Sequence, residues 1–244
     1  MTAPAAPRPS AYPALQAPED GYVFVVTYGR SGSTLVQNLL NAIPGYCVRG
    51  ENGNALSGLA RSWHQLSTAE PRMGLKTRGT PSTPEEPWYG AELIEPWRYG
   101  MFLSNVFVRE VLALPRGTRV GGFKEIRFHT EPAFFAIHLG FIRRFFPKAR
   151  FIFNSRDHDA VLKSGWWAEM DATRARAQLE QAEALFAAQI AAHPDTSLAL
   201  RYDDYAGKPD GFRPLFDFLG EPFDAGLVAR VLDRRLDHLQ KPAD

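Results

Sequence analysis

The stretch Tyr22-Val23-Phe24-Val25-Val26-Thr27-Tyr28-Gly29-Arg30-Ser31-Gly32-Ser33-Thr34 decides the fold. Its first six residues form an unbroken β-branched and aromatic run of strand length, the pattern of a strand covered on both faces. Two glycines then break the chain into a loop, after which Leu35, Val36, Leu39, Leu40 and Ile43 recur at helical spacing until Pro44-Gly45 stops them. Strand, glycine-rich loop and helix in that order suit an anion site, because the first amides of the helix point outward and its dipole favours negative charge; the alternative is a structural strand-to-helix turn. The loop does not fit the nucleoside-triphosphatase pattern G-x-x-x-x-G-K-[ST]: Ser33 occupies the lysine position, and the basic residue, Arg30, stands two places before Gly32.

Outward from this unit, Tyr46-Cys47-Val48 reads as a second strand ending at Gly50-Glu51-Asn52. The section 53–119 carries six prolines and three of the five tryptophans, Trp63, Trp88 and Trp97, and is expected to be a helical cap insertion. Regular alternation resumes with strands at Val120 to Ile126, Arg150 to Ser155 and Ser197 to Arg201. Helices are expected over Pro132 to Phe146, from Val161 to Trp167, through Ala172 to Ile190, over Phe212 to Leu219 and over Ala225 to Leu239. The fold class is therefore α/β, with a mostly parallel sheet of about five strands between two helical layers. No repeat or interior linker divides 21–244, which is expected to be one domain. Residues 1–20, with five Pro and six Ala, are expected to form a flexible arm.

Composition narrows the function. The chain has 244 residues, with 28 Lys plus Arg against 27 Asp plus Glu, so no global charge invites nucleic acid or an anionic membrane. Cys47 is the only cysteine, which excludes an internal disulfide and a cysteine-based zinc site and permits a reducing compartment. No apolar run is long enough for a membrane helix, and the start has no secretory pattern, so a cytoplasmic location is expected.

Thr27 to Leu35 resembles the 5′-phosphosulfate loop of sulfotransferases that use 3′-phosphoadenosine 5′-phosphosulfate (PAPS), in which a Lys or Arg precedes Ser-Gly-[ST]-[ST]. The strand Arg150 to Ser155, followed by Arg156 and eight residues later by Ser164, is similar to that family's 3′-phosphate motif. The likeness continues through Leu200 to Tyr205 and Leu215 to Gly220, leaving Gly53 to Gly117 unmatched. That unmatched section is where acceptor specificity is expected. The resemblance implies a three-layer P-loop-like fold and transfer of a sulfuryl group from PAPS to a hydroxyl, without a metal, leaving adenosine 3′,5′-bisphosphate (PAP). It assigns Gly29, Arg30, Ser31, Gly32, Ser33, Thr34, Arg156, Ser164 and Tyr202 to the donor. Arg156 and Ser164 also suit a phosphate by residue type, although Asp157 or Asp159 could equally pair with the arginine.

Transfer to a hydroxyl calls for a proton acceptor and for cations beside the departing phosphate. Arg30 fills the second role, and Lys124 looks like the family's second lysine. Glu51, twenty-one residues after Arg30, resembles the glutamate base of tyrosylprotein and related carbohydrate sulfotransferases. If partial burial raises its pKa, it becomes a better proton acceptor while staying ionised. Glu125 is the rival carboxylate, more simply read as an ion-pair partner, and His129 and His64 are bases by residue type. Trp166 and Trp167 suit either a nucleotide base or the core. The acceptor is expected to be a carbohydrate, small metabolite or peptide side chain. A non-catalytic nucleotide-binding protein of this fold and a nucleotide kinase remain the alternatives.

Overall fold

Strand β1 (Gly21–Thr27) is buried at every position, and its side chains divide by the two-residue period of a strand. Tyr22, Phe24 and Val26 enter one hydrophobic cluster, whereas Val23 and Val25 enter the other. A central strand flanked by two layers needs this composition, which is why the run contains no polar residue before Thr27. The computed structural model describes residues 11–233, which form a five-stranded sheet. The other strands are β2 (Tyr46–Arg49), β3 (Val120–Glu125), β4 (Arg150–Ser155) and β5 (Ser197–Arg201), in the spatial order β2-β3-β1-β4-β5. Every neighbouring pair is parallel.

Eleven helices cover the sheet among the described residues: α1 (Pro13–Gln16), α2 (Ser33–Ala42), α3 (Ala55–Thr68), α4 (Glu70–Arg78), α5 (Pro96–Phe107), α6 (Pro132–Phe145), α7 (His158–Leu162), α8 (Ala172–Ala192), α9 (Tyr202–Tyr205), α10 (Arg213–Leu219) and α11 (Ala225–Leu232). Helices α2, α10 and α11 supply Leu35, Leu39, Leu215, Phe216 and Val228 to one face. The opposite face receives Phe134, Phe141 and Phe145 of α6 and Leu179 and Phe186 of α8. No described helix is long and apolar enough to cross a membrane.

Three stretches depart from the sequence reading. The arm expected over 1–20 is docked from Tyr12 onward: Leu15 is fully buried, its amide donates to Asn105 Oδ1 at 3.1 Å, and its carbonyl accepts from the Tyr22 hydroxyl at 2.9 Å. The helix expected from Val161 to Trp167 is broken. Helix α7 ends at Leu162, Ser164 is extended, and a separate 3-10 turn runs from Gly165 to Glu169 because Gly165 takes a left-handed φ of 57°. Of the final helix expected through Leu239, α11 is described to Leu232, and Leu236 and Leu239 lie outside the described residues. The section 53–119 is helical, but it also builds the main core, since Met101, Phe107, Val108 and Leu112 all join the cluster around Phe24.

Candidate functional site

In a parallel sheet the ligand site lies beyond the carboxyl ends of the strands. There, Tyr28 to Gly32 connects β1 to α2. The turn needs two left-handed residues, Arg30 at φ 68° and Gly32 at φ 80°. Gly32 is the N-cap residue and brings no side chain to the helix, so the first amides of α2 have no side-chain cap. Both glycines also let an aromatic ring lie directly on the backbone. A Cβ at Gly29 would stand 2.1 Å from the Trp166 ring, and one at Gly32 would stand 2.1 Å from the Tyr202 ring.

The loop is fixed from beneath. The Thr27 and Ser31 hydroxyls are 2.6 Å apart, and Thr27 Oγ1 donates to the Asn154 carbonyl at 2.7 Å. Asn154 Nδ2 donates to the Ser31 carbonyl at 2.9 Å, and the Tyr205 hydroxyl donates to Asn154 Oδ1 at 2.8 Å. Ser31, expected at the donor, thus turns its fully buried hydroxyl into the core. Sequence reasoning missed Thr27, Asn154 and Tyr205. Its available signal was the polar Asn154 closing the apolar run Phe151-Ile152-Phe153.

The two phosphate motifs meet here. Arg30 Nε donates to Ser164 Oγ at 2.8 Å, and Arg156 NH1 donates to the Arg30 carbonyl at 3.1 Å. The Arg156 guanidinium lies 4.4 Å from the centroid of the Tyr202 ring, while its Nε is buried without a partner. The two carboxylates weighed as its partners are engaged elsewhere: Asp157 caps α7 through the Ala160 amide, and Asp159 pairs with Arg176. Neither Arg30 nor Arg156 has a carboxylate partner among the described residues. Ser164 serves Arg30 from an extended segment instead of standing on a helix beside Arg156.

The neighbouring wall carries the carboxylates. Glu51 follows β2, and its carboxylate receives Lys124 Nζ at 2.6 Å and Arg127 NH1 at 3.0 Å. Burial works against the charge on Glu51, but the hydrogen bonds and charges of Lys124 and Arg127 outweigh it and hold the carboxyl below its ordinary range. The condition that burial raises the Glu51 pKa is therefore not met. Glu125 is fully buried and accepts four donors: the amides of Asn52, Asn54 and Ile126 at 3.2, 2.8 and 2.8 Å, and Arg127 NH1 at 3.0 Å. Its lone pairs are occupied by scaffold.

The resulting cleft has a volume of about 470 Å³, within the usual range for a small-molecule site. Gly29, Arg30, Gly32, Ser33, Thr34, Glu51, Lys124, Arg156 and Tyr202 line it, together with Trp166 and the unanticipated Gln37 of α2. His129 and His64 do not. Burial depresses the pKa of His129, whose ring bonds the Thr27 carbonyl, and His64 packs on Phe134 beside Arg61 and Glu131. A larger groove of about 780 Å³ lies at the opposite end of the sheet, but there Arg119 is already neutralised by Asp20 and Glu221. Volume alone does not select the site.

A parallel α/β sheet with an uncapped helix N-terminus and two arginines without a carboxylate partner has the chemistry to hold a phosphate-type anion at its strand ends. Residues 22–225 match the sulfotransferase family, and the chain belongs to that family. Among solved structures, the sulfotransferase domain from the Synechococcus PCC 7002 olefin synthase shares the fold with a TM-score of 0.58 and 18% identity, over 91% of this chain and 80% of that one. The sulfotransferase domain from the curacin biosynthetic pathway gives a TM-score of 0.49 and 17% identity, over 85% of this chain and 76% of that one. Sulfotransferase STF9 from Mycobacterium avium gives 0.46 and 14%, over 90% and 68%. No curated protein sequence matches the chain.

Proposed function

We propose that this sulfotransferase uses PAPS as its donor and a hydroxyl compound as its acceptor, without a metal, in a cytoplasmic setting. The observation that carries the reading is the convergence of Arg30 and Arg156, both lacking a carboxylate, at the uncapped N-terminus of α2. The fit to PAPS rests on Arg156: its orphaned Nε and its stacking on Tyr202 suit a second phosphate beside an adenosine. Arg30, Ser33, Thr34 and the amides of the α2 start would hold the 5′ side, and Arg156 the 3′-phosphate. Four cations, Arg30, Lys124, Arg127 and Arg156, face two carboxylates, Glu51 and Glu125, so the site keeps an excess of positive charge for an anionic donor.

When bound, PAPS supplies a sulfuryl group activated by its bond to phosphate. Glu51 accepts the hydroxyl proton as the new oxygen–sulfur bond forms. Arg30 and Lys124 stabilise the negative charge left on the phosphate oxygen as the old sulfur–oxygen bond breaks, and PAP retains that electron pair. Lys124, held on Glu51 at 2.6 Å, can follow the charge from one side of the reaction to the other.

Calorimetry with PAP and adenosine 5′-phosphate tests the donor assignment. Wild type should prefer PAP, and Arg156→Ala should remove about 2 to 4 kcal/mol of that preference, the worth of a charged hydrogen-bonding group left without its partner. Equal affinity of wild type for the two nucleotides would overturn the reading.

A further inference from the structure

Strand β4 ends at Ser155 and α7 begins at His158, so the amides of Arg156 and Asp157 belong to neither the ladder nor the helix. Side chains accept both. The Asp157 amide donates to Asp203 Oδ2 at 2.9 Å, and the Arg156 amide donates to the Tyr28 hydroxyl at 2.9 Å, 128 residues away in sequence. Tyr28 in turn donates its proton to Glu183 Oε1 of α8 at 2.6 Å, which leaves a lone pair of the phenol oxygen for the amide. The same carboxylate oxygen stands 3.0 Å from Nε2 of His158, the first residue of α7.

Packing does not call for this hydroxyl. The Tyr28 ring is fully buried, lies parallel to Phe186 with planes at 8° and meets the edge of His129, contacts that a phenylalanine would make equally well. A buried hydroxyl costs free energy unless it is bonded, and this one is bonded on both sides. Its position in the chain gives the bond a further consequence. Tyr28 immediately precedes Gly29 and Arg30 of the α2 loop, so one hydroxyl ties that loop to the main chain that carries Arg156. The 5′ and 3′ groups of one nucleotide have a set separation, and the tie sets the separation of the residues assigned to them. Arg156 itself depends on such a hold, because its guanidinium keeps Nε free while NH1 bonds the Arg30 carbonyl and the plane lies on Tyr202.

Resting on the donor assignment above, we infer that Tyr28 is a positioning residue for the 3′-phosphate: its hydroxyl, oriented by Glu183, holds the Arg156 main chain where the guanidinium meets that group. Tyr28 touches no donor atom in this role and acts through Arg156. Loss of the hydroxyl therefore weakens the reading of the 3′-phosphate and spares the 5′ side, a selective effect that loss of core packing would not give.

The test is calorimetry with PAP and adenosine 5′-phosphate on Tyr28→Phe, together with hydrogen exchange of the Arg156 amide in the free protein. Tyr22→Phe is the control, since it removes a buried hydroxyl from the opposite end of β1, where the Leu15 carbonyl accepts it. Tyr28→Phe should weaken PAP by about fivefold or more with adenosine 5′-phosphate nearly unchanged, and the Arg156 amide should exchange about tenfold faster than in Tyr22→Phe. Glu183→Ala should shift the nucleotide preference in the same direction, and Glu183→Gln, whose side-chain oxygen can accept the phenol proton, should restore it. A Tyr28→Phe protein that keeps the full wild-type preference for PAP, or that loses both nucleotides equally, overturns the inference. Equal affinity of wild type for the two nucleotides would instead remove the donor assignment, and exchange then judges the hold by itself: an Arg156 amide no faster in Tyr28→Phe than in Tyr22→Phe refutes it. Should Tyr28→Phe not fold, the same two measurements on Glu183→Ala decide, and unchanged preference with unchanged exchange refutes the inference.

Discussion

Replacing Glu125 by glutamine changes one atom type at a position where geometry makes the result calculable. In wild type, Oε2 accepts the amides of Asn52 and Asn54, and Oε1 accepts the Ile126 amide and Arg127 NH1. A glutamine side chain retains one oxygen, and its NH2 group must face one of these two donor pairs whichever way the amide is flipped. Facing Asn52 and Asn54, it strips both amides of their acceptor; facing the other pair, it strips the Ile126 amide, while Arg127 NH1 keeps Glu51. At about 1 to 3 kcal/mol for each buried donor left unsatisfied, the loss is at least about 1 to 3 kcal/mol and at most about 6, a large share of an ordinary domain's stability. Glu51→Gln should cost less, because Glu51 itself is one-third exposed, no backbone amide depends on it, and the glutamine oxygen can still accept from the buried Lys124. Urea denaturation of the two variants, with turnover measured alongside, separates the roles. Glu125→Gln should lower the unfolding midpoint strongly, whereas Glu51→Gln should unfold almost as wild type, bind PAP and lose most turnover. A Glu125→Gln protein of native stability without turnover, beside an active Glu51→Gln protein, would refute the assignment and make Glu125 the base.

Gly32→Ala should destabilise by about 1 to 2 kcal/mol from its left-handed backbone and also displace Tyr202, lowering PAP affinity at least severalfold. Unchanged affinity in calorimetry would mean that the ring does not set the position of Arg156. Arg30→Ala should lower kcat by roughly a hundredfold, and a chelator should leave wild-type rates intact; strict dependence on magnesium would revive the kinase alternative. Burial, reinforced by the charge of Arg61, pushes the pKa of His138 down from 6.5 to about 3. Between those values the unfolded chain binds a proton that the folded chain refuses, so the stabilising contribution is intact above pH 6.5 and is lost by about 1.4 kcal/mol per unit as the pH falls. His138→Phe should flatten the slope of stability against pH over that window, and identical slopes in urea titrations would contradict it.

How much of this was legible in the sequence depends on the range of the signal. The run Tyr22 to Thr27 and the loop after it carry their own instructions, since strand burial, turn and helix start are all local, and the five strands fall where alternation placed them. The docking of residues 12–20 was not legible, because it depends on Leu15 meeting Asn105, ninety residues away. For Ser164 the signal existed and was outweighed: Gly165 breaks the helix that the apolar spacing suggested. The choice between Glu51 and Glu125 follows from the period of a strand. Phe123 and Glu125 point to one face of β3 and Lys124 to the other, so only Lys124 reaches the cleft. The downward pKa of Glu51 needed the tertiary fact that β2 lies beside β3, which brings Lys124 and Arg127 onto it.

The same reasoning explains why Arg30 and Arg156, 126 residues apart in sequence, line one cleft. Strands β1 and β4 are neighbours in a register that sets Thr27 opposite Asn154. At that rung the Thr27, Ser31 and Asn154 side chains bond one another across the strand ends, and Tyr205 closes the network from α9. A shift of one residue would turn Asn154 to the other face of the sheet and carry Arg156 away from the Arg30 carbonyl. The buried polar network therefore does what an apolar core does not: it fixes the register that brings two arginines to one cleft. Two such cations repel one another unless an anion lies between them, so under the proposed donor assignment the cost of the arrangement is met in folding and need not be met again on binding.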